Sequence, residues 1–306
     1  MDEQSRVYSQ FLNRVHGPVT SGEKRESGAS EQPHMENPAT YSSSHSGRKR
    51  LLLSATSKGG VGKSYVTINL IEWLQKLHVP FVAFDPDWCN SSLTRFYEKA
   101  EFIDISEAVH LDNVIRAFER TDLVVVDGVG SLQMKFIDWL EETRVFDLRD
   151  ELNLDITLIV IVEEDKETVY QAGQAAKRVG NRADWLVVRN LKTSPVTEIY
   201  DGSNARKELL GLGAREITFD RLPWNLNSIV QKSSRSIGAL ASDESIFFLE
   251  RQRLKSYQQK LFEEFANARE ILLPGTFVPS APAQAPEQAV AAVMPPVRPR
   301  IPPQEV

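Results

Sequence analysis

The sequence predicts an α/β fold with a doubly wound, mostly parallel sheet, on three observations. Short apolar runs alternate along the chain with segments whose apolar residues recur at helical spacing, which is typical of β-α-β units. The first run, Leu51 to Leu53, leads into a glycine-rich loop and then into a helical pattern carried by Val66, Leu70 and Leu74. Two later runs end in aspartates. Because ligands bind at the carboxyl ends of the strands in such folds, we expect the functional site at that edge of the sheet.

The glycine-rich loop has the residue types that a phosphate site requires. Gly59, Gly60 and Gly62 allow backbone N–H groups to turn inward as a nest for an anion. The N-terminus of the helix that follows adds a partial positive charge. Lys63 is predicted to reach the β- and γ-phosphates of a nucleotide, and the Ser64 hydroxyl to ligate Mg²⁺. This is the arrangement of a P-loop NTPase.

The loop departs from the common phosphate-loop pattern at one position. The pattern GxxxxGK[ST] has glycine where this chain has Ser57, and Lys58 stands immediately before the first glycine of KGGVGKS. Spacing alone makes Lys58 a second cation beside the phosphate site, and a solvated loop lysine is the alternative.

The next apolar run predicts a strand that ends in two acids. Phe81 to Phe84 are followed by Asp85 and Asp87, at the edge where the phosphates are expected. Asp85 is predicted to act on Mg²⁺ through water. For both aspartates the alternative is that they cap a helix beginning near Ser91.

A third run resembles the second metal-binding strand of P-loop NTPases. Residues 122–127 read DLVVVD, and Asp127 is predicted to hold Mg²⁺ through water. Gly128 and Gly130 follow, and they permit a backbone that moves with the γ-phosphate.

The remaining patterns complete the alternation. Helices are predicted over 102–120, 131–152 and 166–179, and strands over 156–162, 185–188 and 216–219. Two helices are expected between Ile229 and Leu272. The second of them has an apolar stripe for docking on the sheet, formed by Ile246, Leu249, Leu254, Leu261 and Phe265.

Composition limits the compartment and the domain count. The chain has 306 residues, a net charge of −6 and one cysteine, Cys89, so a disulfide framework and a cysteine-based zinc cluster are excluded. No run has the length of a membrane span, and the N-terminus has no apolar signal-peptide core, so we expect a cytoplasmic protein. Residues 1–47 are polar, and residues 273–306 contain nine of the sixteen prolines. Both are predicted to be disordered tails around one nucleotide-binding domain at 48–272.

Lys58 and the aspartates together resemble the ParA/MinD family of deviant Walker A ATPases, over about residues 50–270. The resemblance implies that Lys58 reaches the partner's phosphates across a nucleotide-sandwiched dimer and that Asp87 positions the attacking water. It implies adenine recognition by Asn190 at a strand end, and a base-flanking segment around Pro223. The nucleotide-binding set that it implies is Gly59, Gly60, Val61, Gly62, Lys63, Ser64, Tyr65, Asn190 and Pro223.

Two stretches are similar to a narrower group, the TraL-type ATPases encoded with plasmid transfer genes. They are D-x-D-x-x-N at Asp85, Asp87 and Asn90, and VVVDGVGSLQMKFIDWLEE, where a glycine follows the acid. The resemblance implies an ATP- and Mg²⁺-dependent homodimeric switch that hydrolyses ATP slowly, is stimulated by an unidentified activator or adaptor protein, and acts in conjugative transfer or partition of a plasmid.

Two alternatives stay open at this point. The first is a partition ATPase whose ATP dimer binds nonspecific DNA, and the second is a nucleotide-bound scaffold without useful turnover. Basic candidates for DNA contact lie in the C-terminal helices, and the alternative for them is a solvated helix face: Lys232, Arg235, Arg251, Arg253 and Lys255. The C-terminal tail lacks the basic amphipathic pattern of a membrane anchor.

Overall fold

The fold is described from a computed structural model, which covers residues 47–87, 92–128, 130, 133–275 and 277. The predictions for the two tails lie almost entirely outside these residues.

A seven-stranded sheet forms the centre of the fold, in the order β3-β2-β4-β1-β5-β6-β7. Every neighbouring pair is parallel, so the predicted doubly wound α/β sheet is confirmed. Val, Ile and Leu dominate the central strands because both faces of a parallel sheet are covered by helices. The strands are β1 Lys49–Ser54, β2 Val82–Asp85, β3 Glu101–Phe102, β4 Leu123–Val126, β5 Leu154–Val162, β6 Asp184–Asn190 and β7 Arg215–Phe219.

Helices connect the strands on both sides. They are α1 Lys63–Lys76, α2 Ser92–Phe96, α3 Ala108–Arg116, α4 Gln133–Glu142, α5 Lys166–Val179, α6 Glu198–Asp201, α7 Asn204–Gly211, α8 Trp224–Ser233, α9 Ile237–Ala241 and α10 Phe248–Asn267. Short 3-10 turns occupy Ala117–Glu119, Gly180–Arg182 and Arg269–Ile271. Within the described residues, every helix is too short or too polar to cross a membrane.

Alternate residues of each strand face two separate apolar layers. In β1, Leu51 and Leu53 pack with helices α3, α4 and α5 on one face of the sheet. Leu52 points to the opposite face, where α1, α8, α9 and α10 lie. This two-sided burial fixes the strand register, because a shift of one residue would exchange the two layers.

The segment between β2 and β4 differs from its prediction. A single helix was expected over 102–120, but β3 takes Glu101–Phe102 and the helix begins at Ala108. A two-residue edge strand is too short to show the period of two by which strands are recognised. Its pairing of Glu101 with Phe84 is a tertiary contact that the local sequence does not encode.

The C-terminal region contains three helices where two were expected. Ser234 ends α8 in the left-handed conformation, at φ 52°, and α9 begins only after Ser236 caps it. In α10 the predicted apolar stripe is partly wrong. Leu254, Leu261 and Phe265 are buried, whereas Leu249 is 48% exposed, and Ile246 precedes the helix.

The packed part of the chain continues past its expected end at residue 272. Leu273 is 8% exposed, and its carbonyl accepts a 2.9 Å hydrogen bond from Nε of the buried Arg50. The Gly275 amide donates to the Arg48 carbonyl at 2.9 Å, and Phe277 packs on the layer beside α1. The base of the sheet thus holds the chain as far as Phe277.

Candidate functional site

Polar side chains collect at the carboxyl ends of four strands, two on either side of β1. Asp85 ends β2, Asp127 follows β4, Glu163 follows β5 and Asn190 ends β6, while β1 runs directly into the glycine-rich loop between them. All these residues are buried except parts of the loop. A loop flanked by buried acids at a sheet edge is the arrangement that the sequence predicts.

The loop takes the backbone shape of an anion nest. Gly60 and Gly62 have φ of 76° and 91°, in the region that side-chain-bearing residues rarely adopt. Gly62 is also the N-cap of α1, so the orphan N–H groups of the first helical turn point into the loop. A Cβ on Gly62 would lie 3.1 Å from the Asn190 amide nitrogen. Glycine is therefore required here by conformation and by space.

Two side chains from the β6 end hold the loop by its carbonyl groups. The Asn190 amide donates to the Val61 carbonyl at 2.9 Å, and Lys192 Nζ donates to the Gly60 carbonyl at 3.1 Å. Asn190 is 6% exposed, and its carbonyl oxygen accepts from the Lys192 amide. In this structure Asn190 supports the loop, and its predicted contact with adenine stays a prediction.

Lys63 is folded back on its own loop. Its side chain is buried, and Nζ lies 2.5 Å from the Lys58 carbonyl oxygen. Burial lowers the pKa of Lys63, and the charge of Asp127 partly offsets this. An anion bound in the nest would raise the pKa of Lys63 again, because an opposite charge stabilises the charged ammonium.

Asp127 is the most strongly perturbed acid of the site. Its Oδ1 accepts from the Thr67 hydroxyl at 2.7 Å and from the Gly128 amide at 2.9 Å, and Ser64 adds a third hydrogen bond. Burial nevertheless raises the pKa of Asp127 to about 6, and the nearby charge of Asp85 acts in the same direction. A buried carboxylate held in this way is suited to a cation that supplies the missing charge.

The two glycines after Asp127 allow the backbone of this segment to lie close to the phosphate loop. A Cβ on Gly128 would lie 2.5 Å from Ser54 Oγ and 2.7 Å from Lys63 Cδ. A Cβ on Gly130 would lie 2.8 Å from the Ser57 carbonyl oxygen. Contacts this short do not occur for real Cβ atoms, so the segment touches the phosphate loop only because it lacks side chains. This steric role adds to the mobility that the sequence suggested.

Asp85 has the helix-capping contacts that the sequence left open. Its Oδ2 accepts from the Thr94 amide at 2.9 Å and from the Thr94 hydroxyl at 3.0 Å, inside α2. Its Oδ1 accepts from the Asp87 amide at 3.0 Å, which closes the turn after β2. Asp87 itself is half-buried at the same sheet edge. Its predicted role toward water is a prediction that this geometry permits.

Lys58 is tied to the start of α5 within the same chain. Its Nζ lies 2.8 Å from Asp165 Oδ1 and 3.8 Å from Glu167 Oε2, and its amide donates to Gln171 at 3.0 Å. Asp165 also caps α5 by accepting from the Glu167 and Thr168 amides. The Lys58 ammonium therefore holds the pKa of Asp165 below its usual range.

A cleft of about 320 Å³ adjoins the loop on the side of β6 and β7. Gly62, Asn190, Lys192, Asp220 and Tyr257 are among the residues that line it. Its position beside the nest fits the base and sugar of a nucleotide.

Two residues that were predicted to bind the nucleotide, Pro223 and Tyr65, are placed differently around this cleft, and their role stays a prediction. Pro223 lines the adjacent cleft instead, because the chain turns away into α8 directly after Leu222. Tyr65 does line the cleft of about 320 Å³, where its hydroxyl donates to Tyr257 at 3.1 Å, and Tyr257 donates to the Asp220 carbonyl at 2.7 Å. Burial raises the pKa of both tyrosines, so they act as neutral hydrogen-bonding groups.

The oxygen groups of the site fit a hard divalent cation that a nucleotide brings with it. Among the described residues no cluster of three or more His, Cys, Asp or Glu side chains could bind a metal ion alone. Ser64 and Asp127 would supply oxygen ligands, and Mg²⁺ in nucleotide sites takes its remaining ligands from phosphate and water. The fit therefore requires the nucleotide.

Several site residues were not predicted from the sequence. Thr67, Asp165, Gln171 and Lys192 all contact the loop or its acids, but only Thr67 lies near the motif in the chain. Glu163 is a further case: it is 7% exposed, burial raises its pKa, and its Oε1 has no hydrogen-bond partner. A buried acid directly after a strand was the signal that could have revealed it.

No protein-family model matches the chain. Protein MobD of Acidithiobacillus ferrooxidans is 25% identical over 197 residues, which are 62% of this chain and 85% of that protein. Three solved structures are similar at low identity. They are MinD of Aquifex aeolicus (16% identity, 71% of this chain and 97% of that one, TM-score 0.42), the septum site-determining protein MinD with Mg-ADP of Pyrococcus horikoshii OT3 (14%, 74% and 98%, 0.47), and a plasmid partition protein of Borrelia burgdorferi (16%, 72% and 99%, 0.43).

Proposed function

We propose that this chain binds ATP with Mg²⁺, hydrolyses it slowly, and uses the nucleotide as a switch for homodimerisation. The observation that carries the proposal is the meeting of Lys63, Ser64 and Asp127 at the N-terminus of α1, beneath a loop with two left-handed glycines. A nest of N–H groups, one lysine and a hydroxyl–carboxylate pair are the parts that P-loop NTPases use.

The chain's own residues divide the work. The loop amides and Lys63 neutralise the β- and γ-phosphates, and Lys63 leaves the Lys58 carbonyl to do so. Ser64 and Asp127 would hold Mg²⁺, which would neutralise charge on the phosphate oxygens. Thr67 and the Gly128 amide fix the Asp127 carboxylate in place. Asp87 orients the attacking water from the β2 edge.

Lys58 is the residue on which dimerisation depends. Its pairing with Asp165 keeps the ammonium inside its own chain, and a half-exposed ion pair of this kind is weak. A partner's phosphates offer more negative charge than one carboxylate, so Lys58 is free to exchange Asp165 for them. The ATP-bound form then favours the dimer, and hydrolysis releases it.

The biological setting that we propose is plasmid transfer or partition. The support is the similarity of D-x-D-x-x-N and of the segment after Asp127 to TraL-type ATPases, together with the similarity to MobD. A protein activator or adaptor accelerates turnover.

Mixing two inactive variants tests the central step. Lys58→Ala is expected to bind ATP without hydrolysing it, and Asp87→Ala to bind ATP and form dimers without hydrolysing it. A mixed dimer has one site with a working Asp87 that faces the intact Lys58 of the other chain. Phosphate release should therefore return on mixing and rise with protein concentration. Lys166→Ala, an exposed lysine beside Asp165, is the matched control and should behave as wild type.

Three results would contradict the proposal in different ways. Normal dimers and turnover from Lys58→Ala alone would make Lys58 a solvated loop residue. Dimers without phosphate release from the wild-type chain would indicate a scaffold. Failure of ATP to bind would remove the nucleotide site altogether.

A further inference from the structure

A second cleft lies behind the nucleotide cleft, between the start of α8 and the outer face of α10. It has a volume of about 390 Å³, and Pro223 and Leu226 form its α8 side. Leu249, Arg253, Ser256 and Lys260 form its α10 side. These four recur at intervals of three and four residues, so they occupy one face of the helix. The opposite face carries the buried stripe, so this outer face has no role in the core.

Exposed apolar residues stand next to the lining residues Pro223 and Leu249 in the chain. Trp224 is 78% exposed at the first position of α8, and Phe247, Phe248 and Leu249 are 64%, 55% and 48% exposed where α10 begins. Scattered exposed apolar residues are ordinary, but a run of three beside a cleft that is walled by proline and leucine is not. Exposed aromatic residues of this kind are typical anchors of protein interfaces.

The charge of the cleft is opposite to that of the whole chain. Arg221, Arg253 and Lys260 line it, and Asp220 is its one acid, 3.9 Å from Lys260. Within the described part of the chain, neither Arg221 nor Arg253 has an ion-pair partner, and both are exposed. A chain of net charge −6 thus presents two unpaired guanidinium groups around an apolar cleft. Guanidinium groups bind carboxylates in a forked, two-bond geometry.

We propose that this cleft docks an acidic segment of a partner protein, with an apolar side chain of the segment inserted beside Leu249 and its carboxylates on Arg221 and Arg253. The concave shape favours a protein segment, since a bilayer surface is flat. The exposed aromatic residues that adjoin Pro223 and Leu249 in the chain distinguish the site from one for a nucleic-acid backbone, which is bound chiefly through phosphate contacts.

The docking cleft shares a wall with the nucleotide cleft. Asp220, Arg221 and Tyr257 line both. The Tyr257 hydroxyl bonds the Asp220 carbonyl, and Tyr65, directly after the Mg²⁺ ligand Ser64, bonds Tyr257. A nucleotide that moves this wall changes the shape of the docking cleft. This coupling, unlike the docking itself, rests on the proposed nucleotide function.

The test uses a displayed library of random peptides, selected on the full chain without nucleotide. Peptides with acidic residues around an aromatic or aliphatic anchor are expected. Leu249→Ser and Arg253→Glu should each weaken a selected peptide by about tenfold or more, as for central interface residues. Two matched controls should leave affinity unchanged: Leu210→Ser, an equally exposed leucine on α7, and Lys255→Glu, an exposed cation on another face of α10. A peptide with its acids replaced by lysine should recover binding to Arg253→Glu.

Several outcomes would overturn the docking site. Selected peptides without acids, binding that Leu249→Ser or Arg253→Glu does not weaken, or no selected peptide at all would each do so. Displacement of the peptide by a short DNA duplex or by phosphatidylglycerol vesicles would assign the cleft to those ligands. Loss of self-association in Leu249→Ser, without any peptide binding, would assign it to a second copy of this chain.

The coupling has its own measurement. MgATP is expected to change peptide affinity by about fivefold or more, a typical coupling between two sites. Tyr65→Phe, at a residue that does not line the docking cleft, removes the hydroxyl bond to Tyr257 and should abolish that ratio. ATP affinity is measured in parallel. Equal peptide affinity with and without bound ATP would refute the coupling, whereas absence of ATP binding would refute the proposed function and leave the docking result standing.

Discussion

Replacement of Asp127 by asparagine should stabilise the nucleotide-free protein. Asp127 is 3% exposed, and burial raises the pKa of its carboxyl from 3.8 to about 6. Since each tenfold change in proton affinity corresponds to about 1.4 kcal/mol, the charged form at pH 7 costs up to about 3 kcal/mol. Asparagine has the same shape and still accepts from Thr67 and the Gly128 amide. We expect Asp127→Asn to raise the free energy of unfolding by about 1 to 3 kcal/mol at pH 7.

The stability difference between Asp127→Asn and the wild type should depend on pH. The folded protein binds the Asp127 proton more tightly than the unfolded chain, so this group lowers stability as the pH rises from about 4 to 6. Asparagine does not titrate. The difference between the two proteins should therefore be largest at pH 7 and should shrink toward pH 4, while all other groups titrate equally in both. Urea unfolding at a series of pH values measures it, with Glu119→Gln, at an exposed acid, as the control.

In the presence of Mg²⁺ and ATP, the wild type should be more stable than Asp127→Asn. A ligand at about a hundred times its Kd stabilises a protein by about 2.7 kcal/mol, and the wild type should gain more of this than Asp127→Asn, whose amide is a poor cation ligand. A variant less stable than wild type at pH 7 without ligand, or a difference that is the same at pH 4 and pH 7, would refute the reasoning.

Three further predictions concern the loop and the chain end. Lys63→Ala should weaken ATP binding at least about tenfold by calorimetry, because a charged hydrogen bond contributes about 1.5 to 3 kcal/mol, and unchanged affinity would contradict the phosphate site. Asp165→Asn keeps a helix cap but releases Lys58, so light scattering should detect ATP-dependent dimers at lower protein concentration than for Glu167→Gln; equal concentrations would refute the release. A chain of residues 47–277 should unfold cooperatively. A chain that ends at residue 272 leaves Arg50 without the Leu273 carbonyl, so it should unfold at a lower urea concentration. Equal urea midpoints for the two chains would contradict the packing.

Local chemistry accounts for what was predictable in the fold. The helix over Lys166–Val179 was predicted with its observed bounds, because an aspartate cap begins it and glycine follows its last residue. The central strand β5 is a run of β-branched residues with no competing pattern. The helices after β7 were harder, because Trp224 and Leu249 are apolar residues that face outward. An apolar stripe in sequence does not distinguish a core contact from a docking surface.

In the site, residues that belong to local motifs were predictable, whereas contacts between distant parts of the chain were not. Lys63 and Ser64 belong to one strand–loop–helix motif, and Asp127 follows a second apolar run whose strand ends at the same edge of the parallel sheet, so their meeting was expected. Gln171 reaches the Lys58 amide across 113 positions of the chain, and Tyr257 reaches Tyr65 across 192. Only the packing of α5 and α10 on the two faces of the sheet brings those groups to the loop, and no local pattern encodes it.

Residue 58 links nucleotide binding to the release of its own side chain, which is proposed to reach the nucleotide of the partner chain. The Lys58 carbonyl holds the Lys63 ammonium, its amide is held by Gln171, and its side chain is held by Asp165. A phosphate that draws Lys63 away removes the positive charge from this carbonyl and leaves residue 58 attached only to α5. The phosphate also competes for the Lys58 ammonium. Because one residue makes all three contacts, we expect ATP binding to weaken the Lys58–Asp165 pair even before a second chain arrives.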